Sequence, residues 1–264
     1  MSAASLADLL SPGHWPTWTL VSARVTGMVA VGPLWSISAA PGAVKGAVVV
    51  VLSTLLAGAI PPAVLPPDYP GLAVVMGGEL LLGLALGLAA ALVLDGLALA
   101  GEVMGVQMGL NLGPALGVTI PGETVGVGQL QSRAALTVFV ALGGHLTLLA
   151  ALHGSLRELP PGTALDLPAG SRHVVQLARV VFEVGVRAAA PVMVTMLLLN
   201  VALAVLNRAV PQLNAMIFSF PFTIATGFLV VGATAPFLVG LAGSWAGGLE
   251  GRLAGVVAAF AGGR

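Results

Sequence analysis

Between Ala215 and Gly243 lie 29 residues without a charge, and a helix of that length exceeds the roughly 20 residues needed to cross a bilayer. Pro221 and Pro236 fall inside the run, so it must be bent, tilted or partly outside lipid. The rest of the chain is similar. Of its 264 residues 58% are hydrophobic and 8% charged, with a mean hydropathy of +1.04; a soluble domain carries about a quarter charged residues. An all-α membrane protein follows, because in lipid a helix satisfies its own backbone. Ten basic and ten acidic residues balance, which leaves no footprint for nucleic acid and no polybasic patch. The absence of cysteine removes disulfide frameworks and thiolate metal sites. The first basic residue is Arg24, so the positively charged start of a cleaved signal is missing and the first helix is expected to stay.

In chain order, Trp15 and Trp18 read as interfacial anchors at the start of a first apolar helix, Thr17 to about Ile37. Pro33 should kink it, and Arg24, inside it, has the length to snorkel to an interface. A second apolar run, Gly46 to Ile60, ends at Pro61-Pro62. The five prolines between Pro61 and Pro70 make a stiff connection. A third helix runs from about Leu72 to Leu94, carries Glu79 and the pair Gly83-x-x-x-Gly87, and is able to continue past Asp95-Gly96. Gln129 to Leu152 reads as a further helix, with Arg133 and His145. From His153 to His173 polar residues and prolines cluster, predicting a solvent-exposed connection. Arg179, Glu183 and Arg187 share a solvated helical face. Asn200, Asn207 and Asn214 repeat every seven residues, but Pro211 interrupts the helix beyond Asn207. A short helix-compatible tail, Ser244 to Arg264, closes a count of six to eight kinked helices forming hairpins. Eighteen prolines and 36 glycines imply helices surrounded by other protein, packed in a larger assembly.

The stretch Gly101 to Gly128 stands apart. Gly101, Gly105, Gly109, Gly113 and Gly117 recur every four residues, a stripe that lets backbones approach closely. Pro114 and Pro121 each remove an amide donor, so the helix should not survive past about Gly113. An apolar loop of roughly fifteen residues is too long for a plain connection, and irregular backbone at membrane depth is tolerated only inside protein or beside water. This is the loop expected to lie in a passage and close it. Gln107, Met108, Gly109, Leu110, Asn111, Gly113, Pro114, Gly117 and Pro121 are its candidate residues, with Met108 and Leu110 as the seal.

Catalytic motifs are lacking. No G-x-S-x-G elbow, H-E-x-x-H, P-loop or dinucleotide fingerprint occurs, so the reading is of a protein that is not an enzyme and needs no metal or cofactor. What remains are isolated polar groups on apolar helices: Glu79, Asp95, Glu102, Gln107, Asn111, Arg133, Asn200 and Asn207. An acid at the middle of a span costs about 2.5–3.5 kcal/mol on insertion scales, so Glu79 and Glu102 should face protein or water. Two roles stand: a proton or solute pathway, or hydrogen bonds to neighbouring subunits. The second is preferred because no complementary charges converge with them in sequence.

GELLLGLALG (Gly78 to Gly87), GEVMGVQMG (Gly101 to Gly109) and NRAVPQLN (Asn207 to Asn214) followed by Phe220-Pro221 resemble the signature stretches of the FliR family, the flagellar type III export-gate proteins and their injectisome counterparts. Arg24, Pro33, Pro41 and Val44-Lys45 resemble that family's amino-terminal pattern. The resemblance implies one export-gate domain over 1–264. Its halves, 1–152 and 174–264, would be FliP-like and FliQ-like, joined by 153–173. It also implies FliP-like and FliQ-like membrane partners in a conical helical assembly, other export-apparatus proteins, unfolded polypeptide substrates, and a place in the bacterial inner membrane at the flagellar basal body. By position its channel-plugging loop corresponds to about Gln107 to Gly128. Arg24, Glu79, Glu102, Asn200, Asn207, Pro211, Gln212 and Asn214 would then be structural polar residues of the assembly. A small-molecule permease, with discontinuous helices near Pro114 and Pro211, is the alternative.

Overall fold

The computed structural model describes residues 14–35, 41–63, 65–110, 127–209 and 215–262, with the backbone alone at 127–129 and 215–218. Every regular element among them is a helix. In order these are α1 (Trp15–Val31), α2 (Gly42–Ala57), α3 (Tyr69–Gln107), α4 (Val127–Ala141), α5 (Gly144–Glu158), α6 (Leu167–Ala209), α7 (Ala215–Gly247) and α8 (Leu249–Phe260). Three of them, α3, α6 and α7, are long and apolar enough to cross a membrane, and the broken pair α4 and α5 would make a fourth.

Local chemistry sets the ends of these rods. Helix α1 stops at Val31 rather than kinking on towards Ile37. Gly32 adopts φ −61°, ψ 142°, the extended conformation that a following proline imposes, so Pro33 terminates the helix. Both of the longest helices begin on the same device, an Asp followed two residues later by Pro. Asp68 accepts the N–H of Gly71 at 2.8 Å through Oδ2, and Asp166 accepts that of Ala169 at 2.9 Å through Oδ1. Each side chain thus caps an orphan donor in the first turn. Asp95-Gly96 does not interrupt α3, which continues for 39 residues. Nor do internal prolines divide α6, which contains Pro191, or α7, which contains Pro221 and Pro236.

The expected helix from Gln129 to Leu152 is two helices, because Gly143 takes a left-handed φ of 76°. The expected exposed connection from His153 to His173 is also different. Its first residues complete α5 and its last open α6, which leaves only a short tethered turn. Asp166 donates its N–H to the carbonyl of Phe260 at 2.9 Å, and Leu159 is buried. Of its polar residues Asp166 caps a helix and Ser155 binds a buried partner, while Arg157, Glu158, Ser171 and Arg172 are exposed.

The chain forms two compact units that interleave in sequence. One comprises Met1–Leu92, Gly143–Ala178 and Gly247–Arg264, the other Val93–Leu142 and Arg179–Ala246, and α3 and α6 contribute to both. In the first, α1 and α2 pack together, with the indole N–H of Trp18 donating to Thr54 Oγ1 at 3.2 Å. The proline-rich connection is tied back by the N–H of Ala63, which donates to Thr17 Oγ1 at 2.7 Å. Helix α8 buries Leu249, Leu253, Val256, Val257 and Phe260, an i, i+4, i+7, i+8, i+11 stripe. In the second unit α3 meets α6 where neither Gly96 nor Gly185 has a side chain: a Cβ on Gly96 would lie 2.9 Å from Val184 Cβ, and one on Gly185 3.1 Å from Leu99 Cδ2.

Candidate functional site

Two places gather the residues singled out by the sequence. The first is the crossing of α1 and α3. A Cβ on Gly83 would land on the carbonyl oxygen of Arg24, one on Gly27 on that of Leu80, and one on Gly87 2.6 Å from that of Met28. The backbones touch there, which is what a Gly-x-x-x-Gly pair permits. This contact sets Arg24 and Glu79 side by side.

Arg24 does not snorkel. Its Nε donates to Glu79 Oε2 at 2.6 Å, its Nη1 to Ser155 Oγ at 3.2 Å and its Nη2 to the carbonyl of Leu159 at 3.0 Å. Glu79 accepts the N–H of Gly162 on its other oxygen at 3.0 Å, and Gly162 holds φ at 91°, a left-handed turn that favours glycine. The hydroxyl of Ser155 in turn donates a hydrogen bond to the carbonyl of Leu152 at 2.8 Å. Exposure is 0% for Arg24 and 1% for Glu79 and Ser155, so the carboxylate finds its partner within the chain rather than on a neighbouring subunit. Such a pair gains little net free energy over an apolar replacement. What it does is join α1, α3, α5 and the turn after α5 in one register.

The second place is the end of α3, in the other unit. The helix stops at Gln107, six residues before the limit set by Pro114, because Gly109 takes a φ of 75°. The N–H of Leu110 donates to the carbonyl of Gly105 at 2.9 Å and that of Gly109 to Val106 at 3.0 Å. This is the paired arrangement of a Schellman cap. Met108, at the cap, is fully buried. A Cβ on Gly227 of α7 would come within 2.6 Å of its Cε and 2.7 Å of its Sδ, so the thioether lies in a notch that only glycine leaves open. Met108 thus holds the end of α3 against α7. Leu110, 36% exposed, points outward.

The other candidates are scattered. Glu102 and Asn200 are exposed, while Gln107 and Asn207 are half-buried. Glu183 and Arg187 form an exposed i, i+4 pair at 2.8 Å. Asn111, Gly113, Pro114, Gly117, Pro121, Pro211, Gln212 and Asn214 lie outside the described residues. The sequence reasoning missed Ser155, Leu159 and Gly162, partners 131 and 135 residues from Arg24 and 83 from Glu79. One signal was available: ionisable residues inside apolar helices commonly pair with one another, and Glu79 is embedded in just such a helix.

Comparison with known proteins matches residues 15–247 to the family of bacterial export proteins, family 1. The chain belongs to this family. As a family 1 export protein it is 28% identical over 228 residues to the flagellar biosynthetic protein FliR of Escherichia coli (strain K12), covering 84% of each chain. To the protein of the same name from Pectobacterium carotovorum subsp. carotovorum it is 28% identical over 236 residues, 88% of this chain and 87% of that one. It is also 31% identical over 155 residues to the secretion system apparatus protein SsaT of Salmonella typhimurium, covering 58% of this chain and 60% of SsaT. The resemblance to FliR carried by Gly78–Gly87, Gly101–Gly109 and Asn207–Asn214 therefore extends over most of this export protein.

Proposed function

We propose that this export protein is a subunit of the flagellar type III export gate in the bacterial inner membrane, helping to form the channel for unfolded flagellar substrates and closing it with the segment from Gln107 to Gly128. It acts as a structural member of the export apparatus rather than as an enzyme. FliP-like and FliQ-like membrane subunits are its partners, with 1–152 serving as the FliP-like half and 174–264 as the FliQ-like half. The uncovered faces of α6 and α7, whose most apolar windows are only 17% and 6% buried, suit this reading. Helices that expose Leu197, Leu198, Phe228 and Leu229 need either lipid or protein against them.

The observation that carries the closing role is the root of the loop. A Schellman cap and the Met108 notch hold the end of α3, so the glycine-rich sequence beyond Leu110 hangs from a fixed post. A plug needs such a post, because a loop with a mobile base would have no defined resting place. Deleting residues 112–122 is the test. Membrane ion leakage should rise while the chain still co-purifies with its membrane partners; an unchanged leak in an intact particle overturns the closing role.

A further inference from the structure

In the first unit α5 and α8 leave between them a trough of about 410 Å³, floored by Ala150, Gly154 and Ser155 on one side and by Leu253 and Ala254 on the other. The two helices run parallel. A Cβ on Gly243, ahead of α8, would lie 3.9 Å from Leu142 Cδ1, just ahead of α5. At the far end the N–H of Asp166, beyond α5, donates to the carbonyl of Phe260, the last residue of α8. Each end of the trough therefore carries one carboxylate: Glu250 beside the start of α5 and Glu158 at its close. At 1.5 Å per residue they stand roughly 15 Å apart along the helices. Both are exposed, and neither has an ion-pair partner among the described residues. Arg157 and Arg252, the nearest cations in sequence, do not line the trough. Glu158 lies in the last turn of α5, where the helix dipole disfavours an anion. The floor makes no polar demand, since Ser155 Oγ already accepts from Arg24 and donates to the Leu152 carbonyl. A Cβ on Gly154 would meet nothing within 4 Å.

We propose that this trough docks a non-spanning amphipathic helix of an export-apparatus partner, laying its apolar face on the floor and placing one Lys or Arg on Glu158 and another on Glu250, ten or eleven residues apart. Charge complementarity selects the occupant. An acyl chain fits the floor and brings no cation, and a metal ion reaches only one of the two carboxylates. A membrane-spanning helix keeps its charges at two interfaces about 30 Å apart, twice the separation of Glu158 and Glu250, so it cannot seat both. Ala150, Ala151, Gly154 and Ala254 let an incoming backbone come close. Exposed ion pairs add little affinity; the apolar floor supplies it, and the two carboxylates set the register of the docked helix. The inference goes beyond the closing role of the loop and rests only on the chain's place in an export apparatus.

The test uses the full chain in its assembled particle, in cells engaged in export, with the photo-crosslinker benzoylphenylalanine at position 251 and mass spectrometry of the adduct. Gly251 is exposed beside Glu250, and an added Cβ there meets nothing within 4 Å. The expected adduct is a peptide of amphipathic helical pattern, outside any span-length apolar run, with Lys or Arg at both ends of an apolar stretch of nine or ten residues. Glu158→Lys with Glu250→Lys should lower it about tenfold with the amount of particle unchanged. Changing the partner's two basic residues to Glu should do the same, and combining both reversals should restore most of the adduct. Gly154→Leu, which fills the trough and keeps both carboxylates, should lower it as well. No adduct, an adduct only with lipid or with a membrane-spanning helix, a linked peptide without the two basic residues, or indifference to charge reversal overturns the proposal. If the particle is intact in those cases the export-gate reading stands, whereas failure to co-purify with any membrane subunit sinks that reading itself.

Discussion

Arg24 donates from Nε to Oε2 of Glu79 over 2.6 Å, across a helix crossing so close that Gly83 has no space for a methyl group above the Arg24 carbonyl. Charge pair and backbone contact depend on each other. The glycines bring the helices near enough for the side chains to meet, and the fully satisfied pair fixes how far each helix slides along the other.

Removing one partner leaves a buried charge alone, which costs about 3–5 kcal/mol. Glu79→Gln or Arg24→Ala should therefore leave little folded chain in the membrane, measured by yield and by thermal unfolding in detergent. Replacing both, Arg24→Met with Glu79→Leu, should recover much of the loss. Equal yields for wild type and single variants would contradict the role given to the pair.

Glu102 is exposed in this chain. Glu102→Gln should leave accumulation within about 0.5 kcal/mol of wild type; any defect should appear as weaker co-purification with other membrane subunits. A fall in the chain's own level instead would mean that Glu102 supports folding.

Gly83→Ala should cost about 1–3 kcal/mol, the range for forcing extra atoms into a packed contact. Gly77→Ala on the same helix, where an added Cβ meets nothing within 4 Å, should be neutral or slightly stabilising. The pair of variants, compared by thermal unfolding, separates helix contact from a general effect of altering glycine.

Met108→Ala empties a fully buried site and should cost about 2–5 kcal/mol. Gly227→Val should expel the Met108 side chain from its notch and loosen the end of α3. Both should raise ion leakage through an assembled gate, measured by conductance. Tight gates in both variants would show that the end of α3 does not position the closing segment.

Gly109→Ala places a side chain at φ 75°, where a left-handed conformation costs about 1–2 kcal/mol. Gly109→Asn should be tolerated better, since Asn enters that region more readily. Protease sensitivity just beyond α3 should rank the three residues as Gly, Asn, Ala from most to least protected.

Much of the fold is legible in local chemistry. Apolar runs predicted α3 and α7, and Pro61-Pro62 marked the end of α2 within a few residues. Less visible were events decided by one residue's conformation. Gly143 divides a helix that reads as continuous, and Gly109 ends α3 where Pro114 seemed the natural limit. The cluster from His153 to His173 reads as wholly solvent-exposed, whereas only part of it is. In fact Ser155 and the Leu159 carbonyl accept from Arg24, the Gly162 N–H donates to Glu79, and Asp166 caps α6.

By itself, then, the sequence determined that the chain is a set of apolar helices with a glycine-rich stretch from Gly101 to Gly128, because hydropathy, proline and glycine act over a few residues. Only the tertiary structure decided that Arg24 belongs to Glu79 and Met108 to Gly227. Those pairings span 55 residues in the first case and more than a hundred in the second. No local preference can specify which distant helix face supplies a counter-charge or an empty notch; that depends on how the backbones cross.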